Sequence, residues 1–247
     1  MEFTLDVALV RDILRRESAQ LRDDIRDLGV LPGFGRSRER HDARIAAAPD
    51  VGALACRPEC TWCCHFTVDV RAAEVFGILD FVASSFTREE QDRVFAEVRA
   101  NSRVLAGLGG DERITRNIRC PFLSDSRCAI YPVRPQSCRN YHATDVAGCR
   151  QSYEEPLNQD IDPDFAPGVY QAGEAHVEAV SNALAVLGYD TNAYELNGAL
   201  DAALTDAGAR GRFEAGHRPF AHLGGEPVAP EFDDLVAGSG EGVSSSP

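Results

Sequence analysis

The sequence predicts a mainly α protein, with packed helices and short hairpins around a small, irregular cysteine-cluster domain. Three observations predict it. Apolar residues recur at helical intervals near the start of the chain, at Val7, Val10, Leu14, Leu21, Ile25 and Leu28. Thr87 with Glu90, and Asn192 with Glu195, have the form of capping boxes, in which each side chain satisfies an orphan amide of the other residue. Between these signals lie the cysteines, in stretches with several prolines and no long helical period. The chain then divides into an N-terminal helical extension (1–52), a cysteine-cluster domain (53–150), a C-terminal helical extension (151–223) and a disordered acidic tail (224–247).

The first helix is expected from Leu5 to Leu28, with Gly29 as its stop. Val30 to Asp50 is mixed, with the run RSRERHDAR at its centre. It reads as a solvated helix or linker, and its four arginines leave an RNA or phosphate contact as the alternative. A helix is expected from Arg71 to Ala83, burying Val75, Leu79 and Val82 or Phe76 and Ala83. The next should run from the Thr87 cap to Leu108, ending at Gly109-Gly110. Phe122-Leu123 and Ile130-Tyr131 flank a polar turn, as in a small hairpin, and Pro132 and Pro135 exclude a regular helix there. Glu154 to Asp164 reads as an acidic surface loop. Helices are expected from Val169 to Leu187, stopped by Gly188, and from Asn192 onward, with Tyr194, Leu196, Leu200 and Leu204 facing the core. The tail from Gly224 is acidic and rich in Gly, Ser and Pro.

Composition narrows the function. The 247 residues carry a formal charge of −14, from 39 acidic and 25 basic side chains. That balance argues against a large nucleic-acid footprint and against adsorption to anionic membranes. No apolar run is long enough to cross a bilayer, so no membrane partner is expected. The first twenty residues have neither the basic start nor the long apolar core of a signal peptide. Eight cysteines in a chain of this kind imply a reducing, cytoplasmic setting, where clustered thiols serve metals more often than disulfides. No Walker loop, dinucleotide fingerprint, nucleophile elbow or HExxH is present.

The candidate metal ligands form two groups. The first is Cys56, Cys60, Cys63 and Cys64, in CRPECTWCCH. Cys60 and Cys63 have the CxxC spacing that turns two thiolates onto one soft metal, and Cys56 lies close before them. Cys64 adjoins Cys63, and adjacent side chains diverge, which favours two close metals or a separate role for one thiol. The second group is Cys120, Cys128 and Cys138, spaced too widely for a zinc knuckle, so its ligands must come from separate turns. A metal would organise these segments by cross-linking them. Cys149 is either an eighth thiolate or an ordinary buried cysteine. His65 and His142 adjoin the groups as minor ligands or polar neighbours, and Tyr131 and Tyr141 either shield the site or, as the favoured reading, pack in the core. Arg134 and Arg139 are expected to offset thiolate charge. Zinc, iron and an iron–sulfur cluster all accept this donor set.

CRPECTWCC followed by CPFLSDSRCAIYPVRPQSCRNY resembles the YkgJ-type cysteine-cluster family, the zinc- or iron-chelating CxxCxxCC proteins. The resemblance implies metal chelation by Cys60, Cys63, Cys64, Cys120, Cys128 and Cys138, with Arg134, Pro135 and Arg139 in the RPxxCR segment. Here Cys56 and Cys60 are one residue further apart than in the family pattern. A related cluster accompanies protein methylation in flagellin lysine methylases, but this chain has no adenosylmethionine-binding glycine loop. The leading expectation is a metal-binding protein whose metal is structural or redox-active. The alternatives are an iron- or zinc-dependent enzyme acting on a protein or small substrate, and a metal-stabilised module that binds a protein partner.

Overall fold

The computed structural model describes residues 4–161, 163–227 and 231–232. The helices are α1 (Val7–Leu28), α2 (Val30–Ala47), α3 (Ala72–Ser85), α4 (Arg88–Ala106), α5 (Gly110–Ile114), α6 (Gln136–Asn140), α7 (Val146–Glu154), α8 (Pro167–Val186), α9 (Leu196–Thr205) and α10 (Ala209–Glu214). The strands are β1 (Asp69–Val70), β2 (Leu123–Ser124), β3 (Arg127–Cys128), β4 (Asn192–Glu195) and β5 (Glu226–Pro227). The fold is mainly α-helical, as expected.

Asp6 caps α1 by accepting from the Leu9 amide, and Gly29, at φ 90°, ends it. Val10, Leu14, Leu21 and Ile25 are buried as the periodicity requires, but Val7 and Leu28, at the two ends of the stripe, are exposed. Of the two readings of Val30 to Asp50, helix or linker, the helix is found, but it is packed on one face and not simply solvated. After the Gly29 corner it forms α2, which buries Val30, Phe34, Ser37, His41 and Ile45. Its arginines are not free for phosphate. Arg40 and Arg44 bind Glu17, Arg40 and Arg36 bind Asp24, and Arg38 faces Glu74 and Asp42. Helix α1 packs along both α2 and α8.

The main core joins α1, α2, α3, α4, α8, α9 and α10. Val75, Phe76, Ile78 and Val82 of α3 are buried in it, with Leu79 half-buried and Ala83 exposed. Thr87 and Glu90 form the expected capping box on α4, and α9 packs against both α3 and α4. Gly109-Gly110 does not simply end a helix; Gly109 begins the short α5. The hairpin falls where the pattern placed it, with Leu123 opposite Cys128 and a two-residue turn at Asp125 and Ser126, both at positive φ.

Asn192 does not open a helix. Residues Asn192–Glu195 are β4, the middle strand of an antiparallel sheet between β1 and β5. The Asp190 carboxylate takes the Asn192 amide and the Tyr194 hydroxyl, and this holds the chain extended. Glu195 then caps α9 itself, accepting from the Asn197 and Gly198 amides at 2.9 and 2.7 Å. Tyr194, Leu196 and Leu200 still face the core. Of the segment read as an acidic tail, residues 224–227 and 231–232 are described. Glu226 and Pro227 form β5, and Phe232 is buried against α1 and α8, with its amide on Glu178. The remainder of that tail lies outside the described residues. No helix among the described residues is long and apolar enough to cross a membrane.

A buried polar network ties the N-terminal helices to the rest. The His41 and His176 rings stack at 4.4 Å and neither is exposed. The Arg44 guanidinium faces Nδ1 of His176, so that nitrogen accepts. His176 Nε2–H is left to donate to Ser37 Oγ at 3.2 Å, and the Ser37 hydroxyl donates to Glu17 at 2.7 Å. Burial, with the charge of His41 and Arg44, holds His176 well below the ordinary imidazole range, and burial pushes His41 down to about 4 despite its hydrogen bond to Asn140. Folded-state values below the unfolded one stabilise the fold fully above roughly pH 6.5, the unfolded histidine value. That stability is lost as pH falls through about 4, where His41 protonates. Urea denaturation is expected to show stability level above about pH 6.5 and falling steadily toward about pH 4; a His41→Gln, His176→Gln double variant is expected to flatten that slope.

Candidate metal centre

The first cysteine segment is built from turns. Arg57 to Cys60 closes a β-turn, with Pro58 at its second position and Glu59 at φ 75° at its third. The residue that separates this spacing from the family pattern is thus taken up by a tight turn. A non-glycine residue in that conformation costs on the order of 1 kcal/mol. Arg127 of the hairpin meets the Glu59 carboxylate at 3.1 Å. Trp62–His65 is a single 3-10 turn that carries both Cys63 and Cys64. No residue from Gly52 to Asp69 is buried, so the apolar core does little to hold this loop.

The second segment has a different basis. Phe122, Ile130 and Val133 are buried in the main core, and Cys120 and Cys128 pack against it. The second segment is therefore held by the main core and not by a metal's cross-links alone. Cys128 sits on β3 and Cys138 on α6. Glu74, 3% exposed, fixes α6: one carboxylate oxygen accepts the Gln136 amide at 2.6 Å, and the other accepts the Arg71 amide at the start of α3. Arg139, fully buried, donates to the carbonyls of Pro132 and Arg134 at 2.7 and 3.1 Å and to Asp42 on α2.

The two segments lie side by side. The Cys120 amide donates to the Cys64 carbonyl at 2.8 Å, and the Ile118 amide to the His65 carbonyl at 2.8 Å. The Ala55 amide bonds the Ala143 carbonyl at 2.8 Å, and the Ala143 amide points at Cys56 Sγ at 3.4 Å. The thiols feel one another across the seam. Burial raises Cys138 well above its ordinary value, with further pressure from Cys120, Cys63 and Cys128. Burial pushes Cys120 up to about 12 and raises Cys128, the latter partly offset by Arg134 and Arg139. A hydrogen bond with Cys64, then burial, raises Cys63. Burial raises Cys56 and lifts Cys149 to about 11, and Cys56, Cys63 and Cys60 add to the latter. All eight cysteines are free thiols. Among the described residues, no three His, Cys, Asp or Glu side chains converge closely enough to hold an ion as they stand. The thiols are neighbours rather than a formed coordination sphere. As a donor set they suit zinc or iron, which take soft sulfur ligands.

The flanking residues sort unevenly. His65 Nδ1 meets the Thr61 carbonyl at 3.1 Å, and its ring lies edge-on to Tyr153. His142 is half-buried, with no hydrogen-bond partner at Nε2. Tyr131 and Tyr141 are not in the core: both are exposed, Tyr131 beneath the Arg134 guanidinium at 3.8 Å and Tyr141 against Phe66. Sequence reasoning missed Glu74 and Asp42, which position the Cys138 helix. The signal for Glu74 was there: a lone carboxylate in the otherwise apolar stretch AAEVFGIL.

This is a cysteine-rich loop domain with one segment anchored in a helical core and the other laid across it. Residues 55–160 match the family model CxxCxxCC, described as a "Putative zinc- or iron-chelating domain". The matched family is the one that the cysteine motifs resemble. No curated protein and no solved structure matches the chain. Arg139→Lys is expected to lower stability by about 2 kcal/mol, because an ammonium lacks the planar fork that reaches two carbonyls and Asp42 together. Urea denaturation checks the loss; an unchanged midpoint would show that Arg139 is not the anchor.

Proposed function

We propose that this chain is a cytoplasmic metal-binding protein. It holds zinc or an iron centre, including an iron–sulfur cluster, through a composite site drawn from Cys56, Cys60, Cys63, Cys64, Cys120, Cys128 and Cys138. One observation carries the reading: the backbone bond from Cys120 to Cys64 sets the two cysteine segments edge to edge, with the Ile118–His65 bond beside it. The family description and the free state of all eight thiols support it. Binding would turn the thiols inward and release their protons to solvent. Arg134 and Arg139 stand beside Cys128 to offset the charge that remains. A cavity of about 320 Å³ lies between α1, the end of α2 and the start of α8, and no cysteine lines it. It therefore lends nothing to an enzyme acting at the cluster.

Anaerobic purification with elemental and sulfide analysis is expected to find bound zinc or iron, and acid-labile sulfide with visible absorption would specify iron–sulfur. Cys60→Ser and Cys128→Ser, one from each segment, are each expected to lose metal or alter the spectrum. Full metal content and an unchanged spectrum in both variants would rule out a shared centre. Stripping the metal is expected to raise amide exchange sharply across residues 52–67, which have no core, and only slightly around Phe122 and Ile130. Uniform exchange before and after verified removal would contradict that.

A further inference from the structure

The cavity between α1, the end of α2 and the start of α8 stands apart from the chemistry of the cysteines, none of which lines it. Its volume, about 320 Å³, is within the range of small-molecule sites. Ile13, Ala48 and Ala172 line it and are themselves buried, so they make its floor. Leu9, 36% exposed, and the exposed Ala47 stand at its rim. Two of the three floor residues are alanines, and their short side chains leave the hollow open.

Arg44 gives this apolar hollow a charged wall. Its hydrogen bonds among the described residues, to Glu17 and to His176, both leave from Nη1. They pin the guanidinium and keep Nε and Nη2 for a further acceptor. At the mouth, Arg16 reaches Asp12 through Nε at 2.8 Å, and Arg15 reaches the same carboxylate at 3.3 Å. One carboxylate thus faces two guanidiniums, a local positive excess in a chain of formal charge −14. The amides at the start of α8 take no part, because Asp50 already accepts those of Gly168 and Val169 at 2.7 and 3.0 Å. A ligand here needs one negative charge for the arginines and an apolar body for Ile13 and Ala172. Phosphate brings a second charge and no such body.

We propose that this cavity binds a small monocarboxylate with a hydrocarbon or aromatic body. The carboxylate is held by Arg44, with Arg16 at the mouth, and the body lies on Ile13 and Ala172. A guanidinium fork suits a carboxylate, and Glu17 sets that of Arg44 in place beforehand. Three helices meet at the cavity, so a bound ligand ties them together and stabilises the fold by mass action. The site does not depend on any metal at the cysteines.

The test uses the purified full chain with phenylacetate, hexanoate and indole-3-acetate, read by titration calorimetry and thermal unfolding. At least one of the three is expected to bind saturably, one molecule per chain, and to raise the unfolding midpoint. Phenethylamine, an aromatic body of similar size with the opposite charge, should not bind. Acetate, with the charge and no body, should bind at least about tenfold more weakly. Arg44→Gln would strand the buried Glu17, so variants at exposed positions carry the test. Ala47→Phe, which fills the hollow from its rim, should abolish binding, and Arg16→Gln should weaken it about threefold. No saturable binding by any of the three acids, phenethylamine binding as tightly as phenylacetate, or an affinity unchanged in either variant overturns the proposal. The metal-binding reading stands under all of these outcomes.

Discussion

The architecture depends on what the buried Glu74 carboxylate does with its two oxygens. One closes the first turn of α3 and the other closes the first turn of α6. A helix of five residues, such as α6, cannot hold itself together in water, because nucleation costs more than so few hydrogen bonds return. Glu74 gives it a start and joins it to a long helix of the core. Arg139 completes the clamp from the other side, binding the chain on either side of Val133 and reaching across to Asp42. Cys138 and Arg139 are neighbours in sequence, so fixing the arginine fixes the cysteine.

That division of labour explains the uneven character of the cysteine domain. The second segment is anchored in the main core by Phe122, Ile130 and Val133. The first segment has no buried side chain of its own and is held by backbone hydrogen bonds, the Glu59–Arg127 pair and the rings of α7. The raised thiols at the interface fit a site that stays protonated until a metal displaces the protons.

Much of this was legible in the sequence. The stripe of α1, the Thr87 cap and the turn between Leu123 and Cys128 each follow from local chemistry that tertiary contacts did not overrule. The failures have a common cause. Asn192 and Glu195 satisfy the capping-box pattern, but Asp190 claimed the Asn192 amide, and the strands on either side claimed the backbone. In α2, a run dense in arginine looked solvated because its partners, Glu17 and Asp24, lie on a different helix. Long-range pairing of this sort leaves no periodic trace. For the cysteines, spacing separates two groups, but it does not show that α7 packs on the 3-10 turn that carries Cys63 and Cys64.

The packing of α1 against α8 has a consequence for the order of events during synthesis. These helices lie on either side of all the cysteines in the chain. A ribosome delivers the chain from its N-terminus, so α1 and α2 emerge with their buried histidine, serine and glutamate partners for α8 still unmade. The hairpin and the Cys64–Cys120 bond join stretches made in the interval. Every cysteine therefore leaves the ribosome before α8 arrives to lock the N-terminal layer in place.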